Sequence, residues 1–156
     1  MMNLQHGVIF MVIGSFIVQY VIMSAIMANS YLNITNSMGK LYLSSIMAFM
    51  MGILEVFMHD FSHHTTHTSY YVPLFIGLAV ALILYRFQIG VTDKQYLNEM
   101  IEHHSMAILT SDEILKKTSN YHVRRLASQI VEAQQAEIKQ MKQMVASTDE
   151  GTTIPK

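Results

Sequence analysis

Long apolar runs alternate with short polar stretches along this chain, and their spacing predicts an all-α protein. From Gly7 to Ala28 the sequence reads GVIFMVIGSFIVQYVIMSAIMA, with no charge. At about 1.5 Å of rise per residue this is long enough to cross roughly 30 Å of hydrocarbon. A polar stretch from Asn29 to Lys40 follows, and then a second apolar run, LYLSSIMAFMMGILEVFM, from Leu41 to Met58, with Glu55 as its one acid. The histidine-rich segment HDFSHHTTHTS, His59 to Ser69, leads into a third run from Tyr70 to Phe87. The pattern predicts a transmembrane region over residues 1–90 with spans at about 7–28, 41–58 and 70–87. Tyr42, Tyr70, Tyr71 and Tyr85 flank the second and third spans where interfacial aromatics belong. The first span lacks the basic start and small-residue cleavage pattern of a removed signal peptide, so it is expected to stay.

Past Gly90 the periodicity becomes that of amphipathic helices. Thr92 with Gln95 three residues on makes a capping box, opening a helix from Asp93 to about Lys117 in which Leu97, Ile101, His104, Ile108 and Leu115 share a face. A turn near Ser119 and Asn120 leads to a second helix, from about His122 to Val145. Val123, Ala127, Ile130, Gln134, Glu137, Met141 and Met144 are read as its heptad-like inner seam. Residues 91–146 are thus expected to form a soluble antiparallel hairpin, and the polar tail 147–156 to be disordered. A lone two-helix hairpin cannot bury both apolar faces, so a homo-oligomer completing a four-helix bundle is expected.

Composition sharpens this picture. Charged residues are only 13% and hydrophobic residues 51%, about half the usual charge content of a soluble domain, which makes the lipid bilayer the first expected partner. A net charge of -1 without a basic stripe excludes nucleic acid. Lys40, Arg86 and Lys94 fall on one side of the expected spans, so the positive-inside rule puts the C-terminal hairpin in the cytoplasm and the histidine-rich loop outside. An integral protein of a bacterial inner (plasma) membrane is expected. Cysteine is absent while methionine counts 14 and histidine 8, so any soft-metal site must draw on thioethers and imidazoles.

In an antiparallel hairpin turning near Ser119, His103 faces roughly Glu137, and Met100 lies opposite Gln140 or Met141. Met100, His103, His104, Glu137, Met141 and Met144 are therefore the candidate metal ligands, a donor set suited to Cu(I). The methionines equally serve as core filler, and Glu137 would satisfy one histidine without any metal. A di-iron centre requires Glu-x-x-His, but Met100 and Ile101 stand three residues before His103 and His104. A second candidate set is Met51, Glu55, His59, His63, His64 and His67, where steps of four run off the second span. With Asp60, the histidines there have spacings that capture zinc or another divalent ion. No nucleophile with a base and no cofactor motif is present, so an enzyme is not expected.

The runs QYLNEMIEHHSMAILTSDEIL and RRLASQIVEAQQAEIKQMKQM resemble the family called domain of unknown function 305. Its hallmark Met-Ile-x-His-His and Gln-x-Glu-Ile-x-x-Met segments are matched here by Met100, Ile101, His103 and His104, then Gln135, Glu137, Ile138 and Met141. The N-terminal half resembles the family's membrane-bound branch, in which three spans precede the hairpin and the second opens with a segment like LYLSSIMAFMM. One departure is Glu102, where many relatives carry proline. The resemblance implies a ferritin-like helical fold and, as in some members, copper binding. The expected function is a membrane-anchored protein that buffers or relays Cu(I), working with a copper-transport partner. The alternative is a structural membrane protein that oligomerises through its hairpin without metal.

Overall fold

The computed structural model describes residues 3–149, and among these every regular element is helical. The chain divides into two compact units. One comprises the residues up to Met23 together with Met38–Gly90, and the other comprises Ser24–Ser37 with the chain from Val91 onward. This differs from a simple boundary at residue 90, because the first polar stretch belongs with the hairpin.

Three helices are long and apolar enough to cross a membrane: α1 (Leu4–Met27), α2 (Met38–His63) and α3 (Thr68–Arg86). α1 contains a π-helical turn over Val18–Ile22. Within the first unit α2 packs against both α1 and α3. Its core gathers Leu4, Val8, Val56 and Leu74, with Val12, Phe49, Ile53, Tyr70 and Tyr71 against them. Glycine makes the close approach possible at Gly52, where a Cβ would lie 2.7 Å from Val12 Cγ2 and 3.0 Å from Leu74 Cδ2. Outward-facing positions such as Phe10, Ile13, Val21, Phe75, Ile76 and Val80 are exposed and apolar, as helices surrounded by hydrocarbon require.

α2 and α3 end alike, on a non-glycine residue in the left-handed region. At α2 this is His64, with φ 53°, and Thr65 N donates back to Asp60 O at 3.1 Å. At α3 it is Gln88, with φ 50°, and Ile89 N donates to Leu84 O at 3.1 Å. Both are Schellman-type closures that satisfy last-turn carbonyls. α2 therefore runs one turn beyond the span expected to stop at Met58, and carries His59, Asp60 and His63 on helix.

In the second unit α4 (Asp93–Leu115) and α5 (Tyr121–Asp149) form the antiparallel hairpin. The Thr92–Gln95 capping box is present as expected, and the Asn120 side chain caps α5 by accepting from the amides of His122 and Val123. The core is Ile101, Ile108, Ile138 and Met141, flanked by Leu97, Met100, Val131 and Val145. The buried face of α5 thus takes Ala127, Val131, Ile138, Met141 and Val145. The expected seam shares Ala127 and Met141 with it, but is one residue out of phase at Ile130, Glu137 and Met144. Ile130 and Val131 are comparable as apolar residues, so the phase is decided chiefly at 137 and 138, where burying Ile138 removes apolar surface from water and burying Glu137 would desolvate a carboxylate. Helix α5 continues through Asp149, so 147–149 are helical rather than part of a disordered tail; residues 150–156 lie outside the described residues.

Candidate metal sites

On the hairpin, His104 Nδ1 lies 3.0 Å from Glu137 Oε2. The atoms are close enough for an ion pair, but the carboxylate stands off the line that a ring N–H would follow, so Nδ1 has no geometrically satisfied hydrogen bond. The contact sets the register: it is His104, not His103, that meets Glu137, one residue from the expected pairing. The same register places Met100 opposite Met141, and Met100 packs against the cluster that contains Met141. Met100 and His104 on one helix, with Glu137 and Met141 on the other, therefore form one four-residue patch. His104 is half-buried and Met141 buried, whereas Glu137 and Met144 are exposed on α5 and His103 is exposed on α4.

Beside this patch lies a polar network that spacing arguments on the hairpin alone did not find. The segment Ser24–Ser37, with a 3-10 turn over Tyr31–Asn33, runs along α4 as a strap. Buried Glu102 accepts from Ser24 Oγ at 2.5 Å and from Thr35 N at 3.0 Å. Thr35 Oγ1 donates to Asn98 O at 2.5 Å. Ser105 Oγ donates to Asn29 Oδ1 at 2.5 Å and accepts from Asn29 N at 2.9 Å. Lys142 Nζ reaches across from α5 to Asn33 Oδ1 at 2.6 Å. Asn98, Glu102 and Ser105 at helical spacing were the available signal, because polar groups on a buried stripe need partners, and NSYLNITNS is the complementary polar stretch. Glu99 is also buried, and its Oε2 lacks a partner. Burial pushes its carboxyl above the ordinary range; nearby His103 opposes the shift and Glu102 adds to it.

The second set converges at the α2–α3 turn. His59, Asp60 and His67 bring donor atoms within 4.8 Å of one another, and among the described residues no other three His, Asp or Glu side chains gather so closely. Asp60, buried, organises the turn: Oδ2 accepts from His67 N at 2.9 Å, and Oδ1 accepts from Thr65 Oγ1 at 3.2 Å and touches His67 Nδ1. His63 Nδ1 donates to His59 O at 2.9 Å, and its ring stacks on His59 with centroids 4.3 Å apart. His64 is exposed. Glu55 and Met51 are half-buried one and two turns back from His59 along α2. The stripe read at steps of four does not continue to His67 along one helix, because α2 ends at His63; His67 returns through the turn instead.

Over residues 83–145, a range that takes in every candidate metal ligand on the hairpin, the chain matches the family model described as Domain of unknown function (DUF305). It is also similar to Uncharacterized protein L153 of Acanthamoeba polyphaga mimivirus, with 32% identity over 134 residues covering 86% of this chain and 88% of that one. No solved structure matches the chain.

Proposed function

This chain belongs to the DUF305 family, and on that premise we propose that it is a membrane-anchored protein that takes up Cu(I) as cargo on its hairpin and buffers or relays it. The single observation that carries the reading is the register fixed by His104 Nδ1 at 3.0 Å from Glu137 Oε2, which sets Met100 across from Met141. Two thioethers and an imidazole are a soft donor set that favours Cu(I) over harder divalent ions. Glu137 supports the set from outside it: its carboxylate stands 3.0 Å from His104 Nδ1, and a small rotation into line with the ring N–H would orient the ring and leave the other nitrogen for metal. Met100, His104 and Met141 are the ligands in this reading, with Glu137 as the orienting group. His103 and Met144, both exposed, are peripheral. The three apolar helices serve as the anchor, and the bias of Lys40, Arg86 and Lys94 favours a cytoplasmic hairpin.

The test is an anaerobic titration of the full chain in detergent micelles against a chromogenic Cu(I) chelator. His104→Ala and Met141→Leu are each expected to weaken Cu(I) retention at least tenfold, while His103→Ala changes it severalfold at most. If all three variants compete for Cu(I) as well as the parent does, the copper reading fails. A second reading, self-association through the hairpin, is favoured by the exposed apolar side chains Ile114, Tyr121, Val123 and Leu126 near its turn. It predicts an oligomer in sedimentation that persists when metal is chelated.

A further inference from the structure

We propose that His59, Asp60 and His67 form a binding site for a divalent first-row cation of the zinc class at the α2–α3 turn, a site independent of the hairpin and of its Cu(I) reading. The strongest observation is an imidazole nitrogen with nothing to bind. His59 Nδ1 is buried and has no hydrogen-bond partner, yet it faces Asp60 Oδ1 across 3.9 Å. That gap is too long for a hydrogen bond. A tetrahedral ion with bonds near 2.0–2.1 Å holds its donors about 3.3 Å apart, so a closure of roughly half an ångström brings this pair to ligand spacing. A buried ring nitrogen left in this state is costly, and a cation held between it and the carboxylate removes the cost.

The rest of the turn is built to hold these donors without an ion. The Asp60 carboxylate is fixed by the His67 amide at 2.9 Å and the Thr65 hydroxyl at 3.2 Å. The left-handed His64 and the Thr65-to-Asp60 backbone bond close the helix so that His67 returns to the same carboxylate. His63 stacks on His59 and anchors itself to the His59 carbonyl, limiting rotation of the ligand ring. Partners of this kind, one shell out from the donors, are what orient metal ligands. An open depression of about 260 Å³ borders the Asp60 side of this turn, next to Thr65 and Tyr71.

The donor set decides the class of ion. Two imidazole nitrogens and one carboxylate oxygen suit borderline divalent ions such as Zn(II), Co(II), Ni(II) or Cu(II), whereas Cu(I) prefers the sulfur donors absent from this trio. Three protein ligands leave one tetrahedral position for water or an incoming ligand.

The experiment uses the full chain without a polyhistidine tag, stripped of metal in detergent micelles and titrated with Co(II), whose visible absorption bands report tetrahedral nitrogen and oxygen coordination. One equivalent of tightly bound Co(II), displaced by Zn(II), is expected. His59→Gln and His67→Gln should each weaken binding at least tenfold. Asp60→Asn should do the same while keeping an acceptor for the turn, and His59→Gln leaves every Asp60 bond to the turn in place, so a folded variant with a lost ligand is available. The double variant His103→Ala with His104→Ala, and His64→Ala, should bind as the parent does. Absence of tetrahedral Co(II) bands in the parent overturns the proposal. An equal loss from His64→Ala and His59→Gln also overturns it, because that pattern means diffuse capture by a histidine-rich segment.

Discussion

Replacing Glu102 with alanine removes the acceptor at the centre of the strap network, and the structure allows the cost to be worked out. Glu102 is 5% exposed and accepts from the Ser24 hydroxyl at 2.5 Å and the Thr35 amide at 3.0 Å. A hydrogen bond to a charged acceptor contributes about 1.5–3 kcal/mol, and a buried donor left unsatisfied costs about 1–3 kcal/mol. The Thr35 amide has no freedom to turn elsewhere, so its loss is felt in full. Ser24 lies on a helix and can rotate its hydroxyl toward the carbonyl four residues back, which recovers part of the second bond. Alanine also gains a few tenths of a kcal/mol in helix propensity. The sum is a destabilisation of about 3 kcal/mol. Glu102→Gln keeps one oxygen for the Thr35 amide and is expected to lose about half as much. The assay is denaturant unfolding of the full chain in micelles followed by circular dichroism. If Glu102→Ala unfolds within about 0.5 kcal/mol of the parent, or if glutamine proves as damaging as alanine, the carboxylate does not hold the strap in the way described.

Met141→Leu should cost less than about 1.5 kcal/mol because volume is conserved, whereas Met141→Ala should cost about 2–5 kcal/mol by opening a cavity beside Ile101 and Ile138; thermal melts of the two variants check this, and equal melting points would contradict it. Gly52→Ala places a methyl 2.7 Å from Val12 Cγ2 and should destabilise the first unit by about 1–3 kcal/mol through overpacking, read as a lower denaturation midpoint. Glu99 supplies a pH dependence with a definite sign. Its folded-state carboxyl is raised by burial, so its contribution to stability is fully present below the unfolded value near 4.5 and is lost as pH rises through the higher folded one. Glu99→Gln should flatten that part of the stability profile, and a variant whose profile follows the parent's across the window would refute the assignment.

How much of this protein is legible without tertiary structure follows from the range of the forces involved. Helix formation and apolar patterning are local, so the runs beginning at Gly7, Leu41 and Tyr70 announce three helices that hydrocarbon can surround, and Thr92 with Gln95 announces where α4 begins. The hairpin and its candidate donors are legible for the same reason, since i, i+4 spacing alone puts Met100 beside His104 and Glu137 beside Met141. Register is not local. Whether His103 or His104 meets Glu137 depends on which stripe of α5 is buried, and the burial of Ile138 in place of Glu137 settles that by packing rather than by periodicity. The polar segment between the first two spans looks like an ordinary connection until Glu102 and Ser105 are seen to need partners in a place without water. His67 joins His59 and Asp60 only because a left-handed residue, His64, turns the chain back on itself. Residue types and spacings thus determine which helices form and which donors are available. Burial and chain reversal, which bring groups distant in sequence into contact, determine which of those donors meet.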